Sequence, residues 1–206
     1  MKKVMDDLKS PVIKEFTMAA AEFCQVIEQG LNLRTSELLV KLQQSLPLLY
    51  LKGSRLPRLK YCYEEEPKRF VREEDYERIY DSLLQRIMQF KGIVIEEPGA
   101  KPSPVDTTSV SVAEGIANLY EEMKNYVKLY EIGITQAMND AVWLCRSSFE
   151  SGLGISIIDN LRTIHQLVYN AEGMGRVTLQ GEDPEAGTDE EPWYLDEQEQ
   201  VYGDDE

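Results

Sequence analysis

Ser10-Pro11-Val12-Ile13-Lys14-Glu15-Phe16-Thr17-Met18-Ala19-Ala20-Ala21-Glu22-Phe23-Cys24-Gln25-Val26-Ile27-Glu28-Gln29-Gly30 sets the fold class. Ser10 suits an N-cap, and Pro11 suits the first helical position, where its missing N–H costs nothing. Ile13, Phe16, Ala20, Phe23 and Ile27 then recur at spacings of three and four, which puts them on one helical face. Gly30 ends the run.

The same period recurs downstream. A second helix starts at Thr35 or Ser36, with Leu38, Leu39, Leu42, Leu46 and Leu49 as its stripe. Pro47 lacks the backbone donor, so a kink or an early end is expected there, and Gly53 closes the segment. Residues 54–71 have no period, and Pro57 and Pro67 punctuate them as a structured loop. A third helix runs from Arg72 to Phe90 on Tyr76, Ile79, Tyr80, Leu83 and Ile87. Gly92 to Thr108 holds Pro98, Pro102 and Pro104 and reads as a mobile linker, with Ile93-Val94-Ile95 as a short extended piece.

Ser111 followed by Glu114 has the form of a capping box. Ile116, Leu119, Tyr120, Met123, Tyr126, Val127 and Tyr130 continue a fourth helix from it. After Gly133, a fifth carries Ile134, Ala137, Met138, Ala141, Leu144 and Phe149. Ser151-Gly152-Leu153-Gly154 reads as a break. A sixth takes Ile155, Ile158, Leu161, Ile164 and Val168. No segment reads as a strand and no internal repeat is present. The fold class is all-α, an irregular bundle of about six amphipathic helices.

Charge divides the chain. It has 206 residues, 37 acids and 22 bases. Residues 175–206 hold 12 of the acids and one base, Arg176, leaving 25 acids and 21 bases before them. The tail therefore carries −11 of the net −15. Gly181 to Glu191 has no large apolar residue and cannot support a core. The expected organisation is a helical domain over 1–174 and an acidic, disordered tail over 175–206. Three cysteines without pairing spacing, Cys24, Cys62 and Cys145, suit reduced thiols. Asp6 and Asp7 precede any apolar run at the N-terminus, and no stretch is long enough to span a bilayer. A cytoplasmic protein that does not enter the membrane is expected.

Several short motifs occur in a specific order. They are Leu46-Pro47-Leu48-Leu49-Tyr50-Leu51-Lys52 with Leu56-Pro57, then Phe70-Val71-Arg72-Glu73-Glu74-Asp75-Tyr76. Leu119-Tyr120, Val127-x-x-Tyr130, Ala137-Met138-Asn139-Asp140-Ala141 and Leu161-Arg162-x-x-His165 follow. Together, over roughly residues 10–172, they resemble the bacterial family called domain of unknown function 5063. Arg72 departs from the pattern, because a small capping hydroxyl is expected there. The resemblance implies a small, mostly helical cytoplasmic protein. It implies no substrate, cofactor or catalytic residue.

The candidate sites weigh as follows. His165 is the only histidine. Arg162 stands three residues before it, where a helical-bundle metal site would place a carboxylate. No metal and no cofactor are expected, and His165 reads as a partly buried histidine. Asn139 and Asp140 could face Arg162 and His165 as acid and base in a cleft between the fifth and sixth helices. A packing hydrogen bond or salt bridge is the preferred reading. Lys52, Arg55, Arg58, Lys60, Lys68, Arg69 and Arg72, interleaved with Tyr50, Tyr61, Tyr63 and Phe70, have the ingredients of a nucleic-acid groove. Glu64, Glu65 and Glu66 interrupt them and the body is net negative, which speaks against direct nucleic-acid binding. The stripe Tyr120, Tyr126, Tyr130 suits core packing. Gly152 and Gly154 follow no strand and make no dinucleotide site.

Within the acidic tail lies Pro192-Trp193-Tyr194-Leu195. A solubilising tail needs no tryptophan, so Trp193, Tyr194 and Leu195 read as anchors for an unidentified protein partner, with the acids speeding capture. The preferred function is therefore a non-enzymatic interaction or adaptor module. The alternatives are an enzyme or enzyme accessory built on Asn139, Asp140, Arg162 and His165, or a nucleic-acid-associated protein whose acidic tail covers the basic loop. Enzymatic activity is left open, as is oligomeric state.

Overall fold

The structure, a computed structural model, describes residues 8–30, 32–62, 68–92 and 106–169. Six α-helices make up the described fold: α1 (Pro11–Gly30), α2 (Thr35–Gly53), α3 (Glu73–Phe90), α4 (Thr107–Glu131), α5 (Thr135–Ser148) and α6 (Gly154–Tyr169). No strand occurs among the described residues. The tail 175–206 and Ile93-Val94-Ile95 lie outside the described residues.

The stripe of α1 is its core face, since Ile13, Phe16, Ala20, Phe23 and Ile27 are all buried. Lys14 N–H bonds the Ser10 carbonyl at 3.1 Å, placing Ser10 at the N-cap. α2 contributes Leu38, Leu39, Leu42, Leu46 and Leu49 to the same core. Each such side chain contributes roughly 1.5–3 kcal/mol through burial. α4 is the central helix and packs against α1, α3, α5 and α6. Its tyrosines bury their rings and tie neighbours with their hydroxyls. Tyr120 donates to Glu28 Oε1 at 2.8 Å. Tyr126 Oη and Thr17 Oγ1 lie 2.8 Å apart. Tyr130 donates to the Leu8 carbonyl at 2.8 Å.

Three local expectations need correction. α2 does not end at Pro47 but runs on to Gly53. Pro47 sits on the exposed face, where water can serve the orphaned carbonyl one turn back. α4 begins at Thr107, so Ser111 lies inside the helix and no capping box forms there. Asp106 precedes the helix and holds that end, accepting from Ser109 Oγ and from Lys91 Nζ at 2.6 Å. The glycines at 152 and 154 do not break the chain. Phe149–Leu153 forms one π-helical turn, and helical backbone runs through it from α5 into α6. A Cβ on Gly154 would lie 3.0 Å from the Phe149 carbonyl, so the wide turn accepts glycine there and little else. The true turn is at Gly133, which adopts φ 75° between α4 and α5.

The start of α3 also differs by one residue. Arg72 is its N-cap in extended conformation, with no side-chain bond to the helix end. Instead its Nε pairs with Asp75 Oδ2 at 3.4 Å.

Candidate interaction surface

α2 and α6 pack antiparallel. Gln43 meets His165 at one end, while Gly53 lies against Phe149 at the other. Their inner faces enter the core and their outer faces leave a groove of about 550 Å³. It is lined by Gln43 and Pro47 from α2, and by Ile158, Leu161, Arg162, His165 and Gln166 from α6. Ile158 is 43% exposed. The same two helices expose Leu51 at 54% and Ile155 at 63%. Six of the nine large apolar residues exposed among the described residues belong to α2 and α6. Single exposed apolar residues need no explanation, but clustering along one helix pair makes this face a candidate contact surface.

The polar groups sit at one end of this groove. Gln43 Nε2 can only donate, so His165 Nδ1 accepts its bond at 3.1 Å. The His165 ring lies tilted against Tyr169, with centroids 4.7 Å apart and planes at 51°. His165 is exposed, not partly buried as its sequence neighbours implied. Arg162 is the one arginine or lysine lining the groove, and it has no carboxylate partner among the described residues.

The expected cleft between α5 and α6 is not there. The two helices follow one another along a single helical path, joined by the π turn, rather than packing side by side. His165 therefore lies about seven turns beyond Asp140 along that path. Asn139 and Asp140 are buried at a different place, on the loop after α2. Asp140 Oδ1 accepts from Cys62 N–H at 2.8 Å, and Asn139 Nδ2 donates to the Lys60 carbonyl at 2.7 Å. Asn139 Nδ2 also reaches Cys62 Sγ and Asp140 Oδ1, at 3.1 and 2.9 Å. The pair thus anchors a loop to a helix.

The basic stretch is largely neutralised within the body. Lys52 pairs with Glu15 at 2.8 Å, Arg58 with Glu150 at 3.0 Å, and Arg69 with Glu121 at 2.9 Å. The hydrogen bond and charge of Lys52 hold the Glu15 carboxyl below its ordinary range. Lys68 lies 5.7 Å above the Phe70 ring. Two of the aromatics make ring contacts: the half-buried Tyr61 with Trp143 at 4.8 Å and the exposed Tyr50 with Phe149 at 5.3 Å. Arg55 and Lys60 form no ion pair among the described residues. Trp193, Tyr194 and Leu195 lie outside the described residues, as does Tyr63.

All three cysteines are free. Burial pushes the Cys24 thiol up to about 12, and raises that of Cys145 as well. Among the described residues no group of histidine, cysteine and carboxylate side chains could hold a metal ion. No described helix is long and apolar enough to cross a membrane.

The sequence profile of domain of unknown function 5063 (DUF5063) matches residues 8–170. The chain belongs to this family. Among solved structures, the DUF5063 fold seen here is similar to the crystal structure of protein BF1032 from Bacteroides fragilis. The TM-score is 0.68 at 25% sequence identity, over 81% of this chain and 98% of that one. No functionally curated protein matches the chain. The family match ends at residue 170, one residue past α6, so the acidic tail lies beyond the DUF5063 domain.

Sequence reasoning assigned Ile155, Ile158 and Leu161 to the core of this domain. The buried face of α6 is instead Gly154, Ile157, Asn160, Ile164 and Val168. The signal was the pair Ile157-Ile158, which cannot share one face, together with a buried polar Asn160.

Proposed function

We propose that this DUF5063 protein is a non-enzymatic docking module. Its α2–α6 groove receives a segment of a partner protein that carries large apolar side chains between acidic residues. The apolar strip of exposed Pro47 and Ile158 with half-buried Leu161 carries this reading, because clustered apolar exposure is lost when a partner covers it. Arg162, beside that strip and without a carboxylate partner among the described residues, selects the acidic flank.

The other two functions draw less support from the same geometry. Asn139 and Asp140 do not converge with Arg162 and His165, so no acid and base face one another in a shared cleft. The cations of the basic stretch that form ion pairs do so with body carboxylates, which weakens any claim on a phosphate backbone.

Titration of acid-flanked apolar peptides, selected against the full chain, tests the reading. Ile158→Asp should lower their affinity at least about tenfold, and Arg162→Glu severalfold with loss of salt dependence. Both sites are exposed, so both variants should keep the helical circular dichroism of the parent. Equal affinity for parent and Ile158→Asp would refute the groove as the docking site.

A further inference from the structure

We propose that the chain carries its own occupant for this groove. The segment Trp193-Tyr194-Leu195 docks onto Pro47, Ile158 and Leu161 in cis and competes with the partner. The inference rests on the docking function proposed above and names its regulation.

Chemistry makes the match. The groove wants large apolar side chains next to an acid, because its apolar strip adjoins Arg162. The tail has a single three-residue run of large apolar side chains amid its acids, Trp193-Tyr194-Leu195. Asp189, Glu190 and Glu191 precede it and Asp196 and Glu197 follow it. Either flank supplies a carboxylate for Arg162. The basic stretch from Lys52 to Arg72 is a poorer seat, since Lys52, Arg58 and Arg69 already hold carboxylates and the half-buried Tyr61 packs on Trp143.

Reach permits the contact. The described residues end at Tyr169, whose ring lies tilted against His165 in the groove wall. Ile158 lies 11 residues back along α6 from Tyr169, about 16 Å. From Tyr169 to Trp193 there are 24 residues, which span up to about 80 Å when extended. The tail starts at one end of the groove and has several times the length needed to return along it. Attachment also raises the effective concentration of the segment to the millimolar range. A partner must displace it, and the tail sets a threshold that only a tighter-binding segment crosses.

The family boundary agrees with this division of labour. The DUF5063 domain ends at residue 170, so the groove belongs to the domain and the competitor to an added segment.

The test uses the full chain and a fluorescent synthetic peptide of residues 188–202. The parent is compared with the full-length variant W193A/Y194A/L195A. The peptide should bind the variant about 10–100-fold more tightly than the parent, because the groove is vacated. Adding Ile158→Asp to the variant should abolish that binding. As a second readout, the Ile158 and Leu161 methyl resonances of the parent should move when the three tail residues are replaced. Equal peptide affinity for parent and variant, with unmoved methyls, overturns the proposal. So does a parent that is a dimer by light scattering while the variant is a monomer, since the segment would then occupy a second copy. If selected partner peptides need Ile158 while the tail peptide binds neither chain, the docking function stands and this inference alone fails.

Discussion

Replacing Gly115 by alanine should destabilise the bundle, although alanine is the better helix former. Gly115 lies in the middle of α4, where it faces the carboxamide of Asn160 on α6. A Cβ there would collide with Asn160 Nδ2 and would lie 2.7 Å from Oδ1 and 2.9 Å from Cγ. The whole amide must leave, yet it is buried and its Nδ2 donates to the Ser156 carbonyl at 2.7 Å. Overpacking costs about 1–3 kcal/mol. Stranding the buried amide costs about 1–3 kcal/mol more. Helix propensity returns about 1 kcal/mol. Gly115→Ala should therefore lower stability by about 1–5 kcal/mol in urea denaturation followed by circular dichroism. In an Asn160→Ala background the same change fills vacated space and should be neutral or stabilising, so the double-mutant cycle should show a coupling of about 2–6 kcal/mol, the sum of the two costs. An equal cost in both backgrounds would show that the α4–α6 approach at Gly115 is not as described.

Pro47→Ala should stabilise the protein by about 1–3 kcal/mol, since it restores a backbone bond inside α2 on an exposed face, read as a raised denaturation midpoint. Asp140→Ala should cost about 1–3 kcal/mol, because Cys62 N–H loses its acceptor, and amide exchange should quicken at residues 60–62. Burial alone would raise the Glu28 carboxyl, but hydrogen bonds from Lys124 and Tyr120 outweigh it and hold it below its ordinary value of 4.5. A depressed folded value stabilises the protein above 4.5, and that contribution is lost as pH falls through the folded value. Stability profiles of the parent and Glu28→Gln should therefore differ at neutral pH and converge in acid.

The helices were legible because their core stripes repeat at the helical period, and α1 was read with its bounds and its main stripe, though Ala19 and Cys24 are buried beside it. Local breakers were less informative. Pro47 and the glycines at 152 and 154 remove a donor or a Cβ, but whether that ends a helix depends on what surrounds the position. An exposed face tolerates Pro47, and the Phe149 carbonyl requires a glycine at 154. Asp106 was overlooked as the residue holding the start of α4 because Ser111 and Glu114 imitate a capping box. The groove was hidden for a related reason. α6 carries more apolar residues than one face can bury, and periodicity does not say which of Ile157 and Ile158 faces the core. Only the position of α4, pressed on Asn160, settles it. Two of the four residues singled out for a cleft, Arg162 and His165, do lie in the groove, while Asn139 and Asp140 anchor a loop.

Methyl-labelled spectra of the full chain during titration with a selected acid-flanked apolar peptide test the docking surface most directly. The account predicts that the methyls of Ile158 and Leu161 shift in step with binding, while those of core residues Ile13 and Ile27 on α1 stay in place. Shifts centred away from α2 and α6, or binding that leaves Ile158 and Leu161 unmoved, would contradict it.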